Sequence, residues 1–381
     1  MNFIRNWLTK ARNPHNPLIT VALSKAALLH NLKEFQQLSP AVAPVLKGNA
    51  YGHGLIEIAS ILEKEHLPLF IVDSYTEARS LRAAGITTPL LIIGFTKTET
   101  IRKSKLPHTS FVVTSYEALE EYAQLLKKPT KIHLKIDTGM CRQGITLDQT
   151  QQAIDLIKKS PHLILEGICS HFADADNLDT SFTQNQIDVW NDCVDLFMKH
   201  FLTLSYYHTS NTAGHAYIRQ ARSNISRLGI GLYGLTGNGA IDTMISLQPV
   251  MKVTTSITGT KNIPTNSKVG YNGTFTTTSP TKLATIPMGY FEGVDRRLSN
   301  KGMVMIGDTA AKIAGRVSMN ITILDITNIP DVDNIKLGTE VTVISSRESD
   351  PNSIVNIAKT CGTIPYEIAV HVNAALQRIV I

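Results

Sequence analysis

Short apolar runs alternate with longer segments of helical spacing through the first two thirds of the chain. Near-continuous apolar strands separated by helices are typical of a parallel sheet that is buried on both faces. Eight such runs in succession predict a closed (β/α)8 barrel, and a doubly wound open sheet is the competing interpretation. The runs cover residues 42–47, 68–73, 89–94, 109–114, 131–137, 163–170, 204–210 and 223–229, and the helical segments include 55–65, 74–84, 115–127, 148–159 and 180–200.

From about residue 245 the pattern changes to short segments rich in Thr, Val and Ile, separated by Gly, Pro, Asn or Asp. This pattern predicts a mostly antiparallel β domain. We therefore expect an α/β fold with a TIM-type (β/α)8 barrel over residues 1–244 and a β-rich C-terminal domain over residues 245–381. A short helix is expected near residues 352–361, where Asn352 and Ser353 are the candidates to cap its first turn.

The overall composition argues against several classes of protein. The net charge of +6 is spread along the chain without a dense Lys/Arg stripe, so nucleic-acid binding has little support. No segment approaches the roughly 18 apolar residues of a transmembrane helix, and the first residues lack the apolar stretch of a signal peptide. The four cysteines form no CxxC pair, which favours reduced thiols in a cytoplasmic protein, and no metal site is expected.

Reactive side chains collect where the predicted barrel strands end. Ligands of (β/α)8 barrels bind at the carboxyl ends of the strands, so side chains at these positions are candidates for a functional site. His133, Lys135 and Asp137 alternate along one strand and are expected to face the same side. The other candidates at strand ends are Lys47, Arg142, His171, Asn211, Thr212, Arg227 and Gly229.

Lys47 is the most informative of these residues. It ends an apolar strand, where burial as a cation is costly, and the small-residue loop GNAYGHG follows it. A desolvated lysine has a lowered pKa and can form a Schiff base with pyridoxal 5′-phosphate (PLP). The loops SNTAGHA (210–216) and RLGIGLYG (227–234) follow strands seven and eight, where barrel enzymes commonly hold phosphate.

Taken together, the motifs resemble those of the alanine racemase family, from about Val21 to the C-terminus. Nine segments occur in the order and approximate spacing of that family, and such a series is hard to obtain by chance. They are VLKGNAYGHG (45–54), KIDTGMCRQG (135–144), ICSHFADAD (168–176), SNTAG (210–214), SRLGIGLYG (226–234), VGYNGT (269–274), GYFEGVDR (289–296), GRVSMN (315–320) and PYE (365–367).

The resemblance implies a PLP-dependent racemase that interconverts L-alanine and D-alanine and supplies D-alanine for peptidoglycan. Lys47 would hold PLP covalently and act as one base, and Tyr271 from the partner subunit of a homodimer would act as the second base on the opposite face. Unperturbed lysine and tyrosine side chains titrate near 10.4 and 10, so the site must lower or couple their pKa values. The implied phosphate ligands are Tyr51, Thr212, Gly229, Ile230 and Tyr366.

The resemblance also assigns roles to residues around the substrate. Arg142 would lie near the phenolic oxygen of PLP and the substrate carboxylate, Lys135 matches a lysine that is carbamylated in many members, and the Met319 backbone would bind the carboxylate. Arg227 would donate to the pyridine nitrogen and His171 would orient Arg227. Because guanidinium has only donors, that nitrogen would stay unprotonated. The residues that match the entrance corridor are Asp176, Tyr290, Arg296 and Arg316.

Several positions depart from the usual family pattern. Gly48 stands where alanine is usual, Cys141 and Gln143 replace glycine and leucine beside Arg142, and Ser318 and Asn320 replace cysteine and aspartate beside Met319. None of these changes removes a catalytic group, but they bear on substrate preference and rate. The alternatives are a racemase of serine or lysine, a PLP-dependent decarboxylase of the same fold, and a non-catalytic PLP-binding protein. The predicted β domain argues against the last of these, because non-catalytic PLP-binding proteins resemble a lone barrel.

Overall fold

The computed structural model describes residues 17–39, 41–236 and 240–381. Eight parallel strands form the barrel, and each coincides with one of the apolar runs identified in the sequence. The (β/α)8 prediction is therefore confirmed. The strands are β2 (Val42–Pro44), β3 (Phe70–Val72), β4 (Leu90–Ile92), β5 (Thr109–Val113), β6 (Thr130–Lys135), β7 (Leu163–Cys169), β8 (Tyr206–His208) and β9 (Ser226–Leu228).

Closure of the barrel depends on contacts just beyond the strand ends. β3 to β8 pair in sequence order, β2 pairs with β9, and a parallel bridge between Val45 and Ile71 joins β2 to β3. On the other side, the Arg227 backbone N–H donates to the Ser210 carbonyl at 3.2 Å. An open, doubly wound sheet is thereby excluded, and the carboxyl ends of all eight strands surround one opening.

Helices cover the outside of the barrel and bury the apolar strands from that side. Several begin at a serine cap, as Ser24, Ser74 and Ser115 each accept a hydrogen bond from a backbone N–H in the first turn. The helices are α1 (Lys25–Leu38), α2 (Leu55–Leu62), α3 (Tyr75–Ala83), α4 (Thr98–Lys103), α5 (Tyr116–Leu125), α6 (Thr150–Lys159) and α7 (Ser181–His200), and a 3₁₀ turn (Ala213–Tyr217) takes the place of a helix between β8 and β9.

A second, mostly antiparallel sheet of nine strands confirms the β-rich C-terminal region. The nine strands are β1 (Thr20–Leu23), β10 (Met251–Ser256), β11 (Gly259–Ile263), β14 (Thr281–Ile286), β15 (Met303–Ile306), β16 (Thr309–Ile313), β17 (Thr322–Asp325), β18 (Glu340–Ile344) and β19 (Arg378–Val380). Their order in the sheet is β11-β14-β17-β16-β15-β18-β10-β1-β19, with β1 and β19 parallel. β12 (Lys268–Val269) and β13 (Phe275–Thr276) form a separate hairpin.

Strand β1 lies N-terminal to the barrel but belongs to the second sheet, where it pairs with β10 and β19. The chain thus passes from this sheet into the barrel and returns to it. Residues 1–244 include this strand, and the division after residue 244 stays a prediction. Among the residues that the structure describes, no helix is long and apolar enough to cross a membrane.

Two short helices, α8 (Ile354–Cys361) and α9 (Pro365–Val370), lie near the C-terminus. The Ser353 side chain accepts from the Asn356 N–H at 3.3 Å and is the cap of α8. Asn352 does not cap this helix. Its side-chain amide instead donates to the carbonyls of Thr342 and Val343, which ties α8 to β18.

Candidate active site

The carboxyl ends of the barrel strands open onto a cavity of about 630 Å³. Ten residues that were predicted to bind cofactor or substrate, or to be carbamylated, line this cavity, although they come from six separate segments of the chain. Asn211 lines it as well, as do Asp73, Phe95, Cys169 and His208, which were not predicted as site residues. The ten are Lys47, Tyr51, Lys135, Arg142, His171, Thr212, Arg227, Gly229, Ile230 and Tyr366.

Lys47 begins a turn whose backbone is left-handed. The φ angles are 63° at Gly48, 56° at Asn49, 53° at Ala50 and 51° at Tyr51. Left-handed helical geometry costs roughly 1–2 kcal/mol for each residue with a Cβ, so the turn persists only because surrounding contacts hold it. It places Lys47 and Tyr51, at its two ends, in the lining of the same cavity.

A cluster of hydroxyl groups forms one end of the cavity. A Cβ built on Gly229 would lie 2.9 Å from the Tyr51 hydroxyl and 3.7 Å from Thr212 Oγ1, so the absence of a side chain there leaves a space that these groups face. The Tyr366 ring lies 6.0 Å from the Tyr51 ring. Burial raises the pKa of Tyr51, and burial with nearby Asp176 raises that of Tyr366 to about 12. Both phenols are therefore hydrogen-bond donors at neutral pH.

Buried Arg227 is held by two histidines and three carbonyls. Its Nη1 donates to His208 Nδ1 at 2.7 Å and to the His208 carbonyl, and its Nη2 donates to His171 Nδ1 at 2.9 Å and to the carbonyls of Ser170 and Thr209. Burial, then the charge of Arg227, lowers the pKa of both histidines well below the usual value, so both rings are neutral. Within the described residues, Arg227 Nε–H donates to no protein group.

The hydrogen bonds behind Arg227 run in one direction. Because guanidinium only donates, His208 Nδ1 must accept, which leaves the proton on His208 Nε2. His208 Nε2 lies 2.9 Å from His133 Nδ1, and His133 Nε2 lies 3.3 Å from Glu166 Oε2. Each ring therefore donates toward Glu166, whose carboxylate ends the chain of hydrogen bonds. Ser110 and Lys131 also donate to Glu166.

This network has only a weak signal in the sequence. A histidine or a glutamate interrupts each of three apolar strands, at His133 in β6, Glu166 in β7 and His208 in β8. His133 was expected to share one side of its strand with Lys135 and Asp137. In the structure Lys135 reaches the cavity, whereas His133 is fully buried in the network.

Lys135 and Arg142 contribute two further basic groups to the lining of the cavity. Burial lowers the pKa of Lys135, and the charges of Arg227 and Arg142 act in the same direction. Asp137 shapes the loop that carries Arg142, because its Oδ1 accepts from the backbone N–H groups of Gly139 and Cys141 at 2.9 and 3.1 Å. The Lys135 amine thus loses its proton more readily than an exposed lysine, and it lies in a cationic environment.

Several predicted residues lie outside the cavity of their own chain. Tyr271, Met319 and Tyr290 are 69%, 55% and 44% exposed, Arg296 and Asp176 are exposed, and Arg316 is half-buried. Backbone contacts bring part of this group together on the second domain. The Tyr290 N–H donates to the Ser318 carbonyl at 3.0 Å, and a Cβ built on Gly270, beside Tyr271, would lie 3.4 Å from the Arg316 nitrogen.

Comparison with known proteins gives a consistent result. The models for "Alanine racemase, N-terminal domain" and "Alanine racemase, C-terminal domain" match residues 23–237 and 250–380. The chain is 33% identical to alanine racemase 2 of Caldanaerobacter subterraneus subsp. tengcongensis, with 95% of this chain and 94% of the relative covered. It is also 33% identical to alanine racemase of Methanococcus maripaludis, with coverage of 95% and 98%.

Solved structures show the same architecture. Alanine racemase of Clostridium difficile 630 superposes with a TM-score of 0.88 at 29% identity, covering 96% of each chain. Alanine racemase of Bacillus anthracis, solved with bound L-Ala-P, also gives 0.88 at 28% identity, covering 97% of this chain and 96% of that one.

Proposed function

Because this chain belongs to the alanine racemase family, a family of isomerases, we propose that it interconverts L-alanine and D-alanine with PLP as cofactor. The observation that carries the proposal is the cavity itself, in which Lys47, the hydroxyl cluster and Arg227 line one space of about 630 Å³. A volume in this range suits a cofactor with a small substrate.

The donor set fits PLP at both ends of that molecule. Tyr51, Thr212 and Tyr366 supply hydroxyl groups for a phosphate, and the space above Gly229 would admit one of its oxygens. Ile230 begins a short 3₁₀ turn, and its backbone N–H has no acceptor within that turn, whereas the next N–H, of Gly231, donates to Thr212 Oγ1 at 3.2 Å. At the other end, Arg227 Nε–H is the donor left for a ring nitrogen. Lys47 would hold the cofactor covalently.

When bound, PLP would supply the electron sink that makes the α-hydrogen of the amino acid acidic. Lys47 would move a proton on one face of the substrate, and Tyr271 of the partner subunit would move a proton on the other. Racemisation requires two such groups, because the proton leaves from one face and returns to the opposite one. The support for a contribution from a second copy is that Tyr271 is 69% exposed and does not line the cavity of its own chain.

Arg142 and Lys135 would set the charge around the substrate carboxylate. Arg142 lines the cavity and would bind the substrate carboxylate, and the backbone N–H of Met319, an exposed residue, would complete that site from the partner subunit. Carbamylation needs a neutral amine, and the lowered pKa of Lys135 supports this modification here. The resulting anion would lie beside Arg142 and steady its guanidinium.

We propose that the working unit is a homodimer with shared active sites, in which Asp176, Tyr290, Arg296 and Arg316 border the entrance. All four cysteines are unpaired, which supports a reducing, cytoplasmic setting. The proposed role is to supply D-alanine for peptidoglycan.

The test is D-alanine formation from L-alanine by the purified protein, recorded with the visible absorbance of bound PLP. Turnover with that absorbance present would support the racemase, and a parallel panel of L-serine and L-lysine would test substrate choice. Absorbance of bound PLP without turnover of any amino acid would contradict racemase activity but would still support PLP as the cofactor. Release of carbon dioxide from an amino acid would indicate a decarboxylase instead of a racemase.

A further inference from the structure

The left-handed turn after Lys47 is held from outside at both of its ends. At its start, the Gly48 N–H donates to Glu77 Oε1 at 2.8 Å. Beyond its end, the Gly52 carbonyl accepts from Arg378 Nη2 at 2.7 Å and from Arg378 Nε at 3.1 Å. These two side chains come from a barrel helix and from the last strand of the chain, so the sequence around the turn gives no sign of them.

Glu77 connects the turn to the neighbouring strand and helix. Its Oε2 accepts from the N–H groups of Asp73 and Ser74 at 2.9 and 3.1 Å, while its Oε1 is left for Gly48. The carboxylate thus joins the end of β3, the cap of α3 and the residue after Lys47. A carboxylate that accepts three backbone hydrogen bonds is held in one geometry, and it holds its donors in turn.

Arg378 performs the corresponding task for the other end. Besides Gly52, it donates to the carbonyls of Asn373, Ala374, Leu376 and Val372, all in the segment that leads from α9 to β19. Gly52 itself lies against α9, because a Cβ built on it would overlap the carbonyl oxygen of Ala369. Since α9 carries Tyr366, the same contacts fix the hydroxyl cluster.

We propose that Glu77 and Arg378 are positioning residues that hold the left-handed turn and thereby fix Lys47 and Tyr51 in the cavity. The contacts are needed because Asn49, Ala50 and Tyr51 carry a Cβ in the left-handed region, whereas Gly48 adopts that region without a steric cost but is also free to leave it. The part of this inference that concerns PLP rests on the proposed function. The part that concerns the turn does not.

Hydrogen exchange of backbone amides in the full-length protein tests the turn directly. Glu77→Ala should make the Gly48 amide exchange at least about tenfold faster, because its acceptor is lost. Glu77→Gln should fall between this variant and the wild type, since an amide oxygen can replace only one of the two carboxylate oxygens. Arg378→Lys should accelerate exchange in residues 50–54.

Ser74→Ala is the matched control, because it removes the side-chain acceptor of the Glu77 N–H and a long hydroxyl contact of 3.5 Å to Glu77 Oε2, while the three backbone N–H groups that donate to the carboxylate remain. It should weaken the start of α3 without changing exchange at Gly48. For Arg378 the control is Arg347→Lys, which alters an exposed arginine of the second domain. The proposal would be overturned if the Gly48 amide exchanged at the wild-type rate in Glu77→Ala. It would also be overturned if Ser74→Ala accelerated exchange at Gly48 as much as Glu77→Ala does.

PLP affinity and steady-state kinetics provide the second readout. Glu77→Ala should raise the dissociation constant of PLP at least tenfold and lower kcat more than it raises KM, because Lys47 is misplaced while Arg142 is not. If Glu77→Ala accelerated exchange of the Gly48 amide but left the affinity for PLP unchanged, the proposed connection between the turn and the cavity would be wrong. Absence of turnover in the wild type would refute the proposed function alone, since the exchange result would still stand.

Discussion

Glu166→Gln tests the directional network behind Arg227. Glu166 ends that network, and its side chain is 11% exposed. Burial alone would raise the pKa of this carboxyl, but hydrogen bonds from His133, Lys131 and Ser110 outweigh burial and lower it from 4.5 to about 2. Glutamine keeps the size of the side chain but lacks the charge, and its amide hydrogens face groups that are themselves donors.

The magnitude follows from the difference in pKa between the unfolded and folded states. The difference between an unfolded pKa of 4.5 and a folded pKa of about 2 corresponds to about 3 kcal/mol of stability at pH 7. Since the folded pKa is the lower one, this contribution is fully present above the unfolded value and is lost as the pH falls from about 4.5 to about 2. By the same relation, about 2 kcal/mol should remain at pH 3.5.

Urea denaturation followed by tryptophan fluorescence measures this effect. A Trp7→Phe background leaves Trp190, which is fully buried in α7 of the barrel, as the sole tryptophan. Glu120→Gln, an exposed carboxylate on α5, is the control and should change stability by less than about 0.5 kcal/mol. The reasoning would be refuted if Glu166→Gln lowered the free energy of unfolding by less than about 1 kcal/mol at pH 7. It would also be refuted if the difference in unfolding free energy between Glu166→Gln and its Trp7→Phe parent were no smaller at pH 3.5 than at pH 7.

Three further changes address the cavity. Lys47→Ala should abolish the visible absorbance of covalently bound PLP, and an unchanged spectrum would exclude Lys47 as the attachment point. Tyr271→Phe should retain PLP yet lower racemisation roughly 10²–10⁴-fold, and α-hydrogen exchange into deuterated water should become unequal for the two enantiomers, because only one face keeps its base. Gly229→Ala should weaken PLP binding roughly 10- to 150-fold, because the added methyl group near the Tyr51 hydroxyl would remove one charge-assisted hydrogen bond to the phosphate. Absorbance titration measures this affinity, and an unchanged value would show that the phosphate binds elsewhere.

The sequence predicted features that depend on local pattern. The barrel strands are short, mainly apolar runs in which most residues are buried, and parallel pairing places the ends of those runs around one opening, so Lys47, Thr212 and Arg227 could be grouped from the order of the runs alone. The pairing of β1 with β19 could not be predicted in this way. It joins residues near the two termini, and no periodicity within either strand specifies a distant partner.

The other features that the sequence did not predict depend on contacts between side chains and backbone groups of different helices, strands and loops. The sequence predicted only a small-residue loop at Gly48, Asn49 and Tyr51, because left-handed geometry at residues with a Cβ is set by outside contacts such as those of Glu77 and Arg378. Likewise, Glu166 could be recognised as a charge inside an apolar strand, but its partners lie on β5 and β6 and depend on the barrel register.

The electrostatics of the cavity explain why the site would favour racemisation over other PLP chemistry. The cation at Arg227 is held by neutral histidines rather than by a carboxylate, and their rings are committed as acceptors. No acid is therefore available there to protonate a ring nitrogen, whereas an acid at that position would protonate it and strengthen the electron sink. PLP bound there would be a weaker electron sink, and proton transfer to and from the α-carbon would then depend on Lys47 and on Tyr271 of the partner subunit.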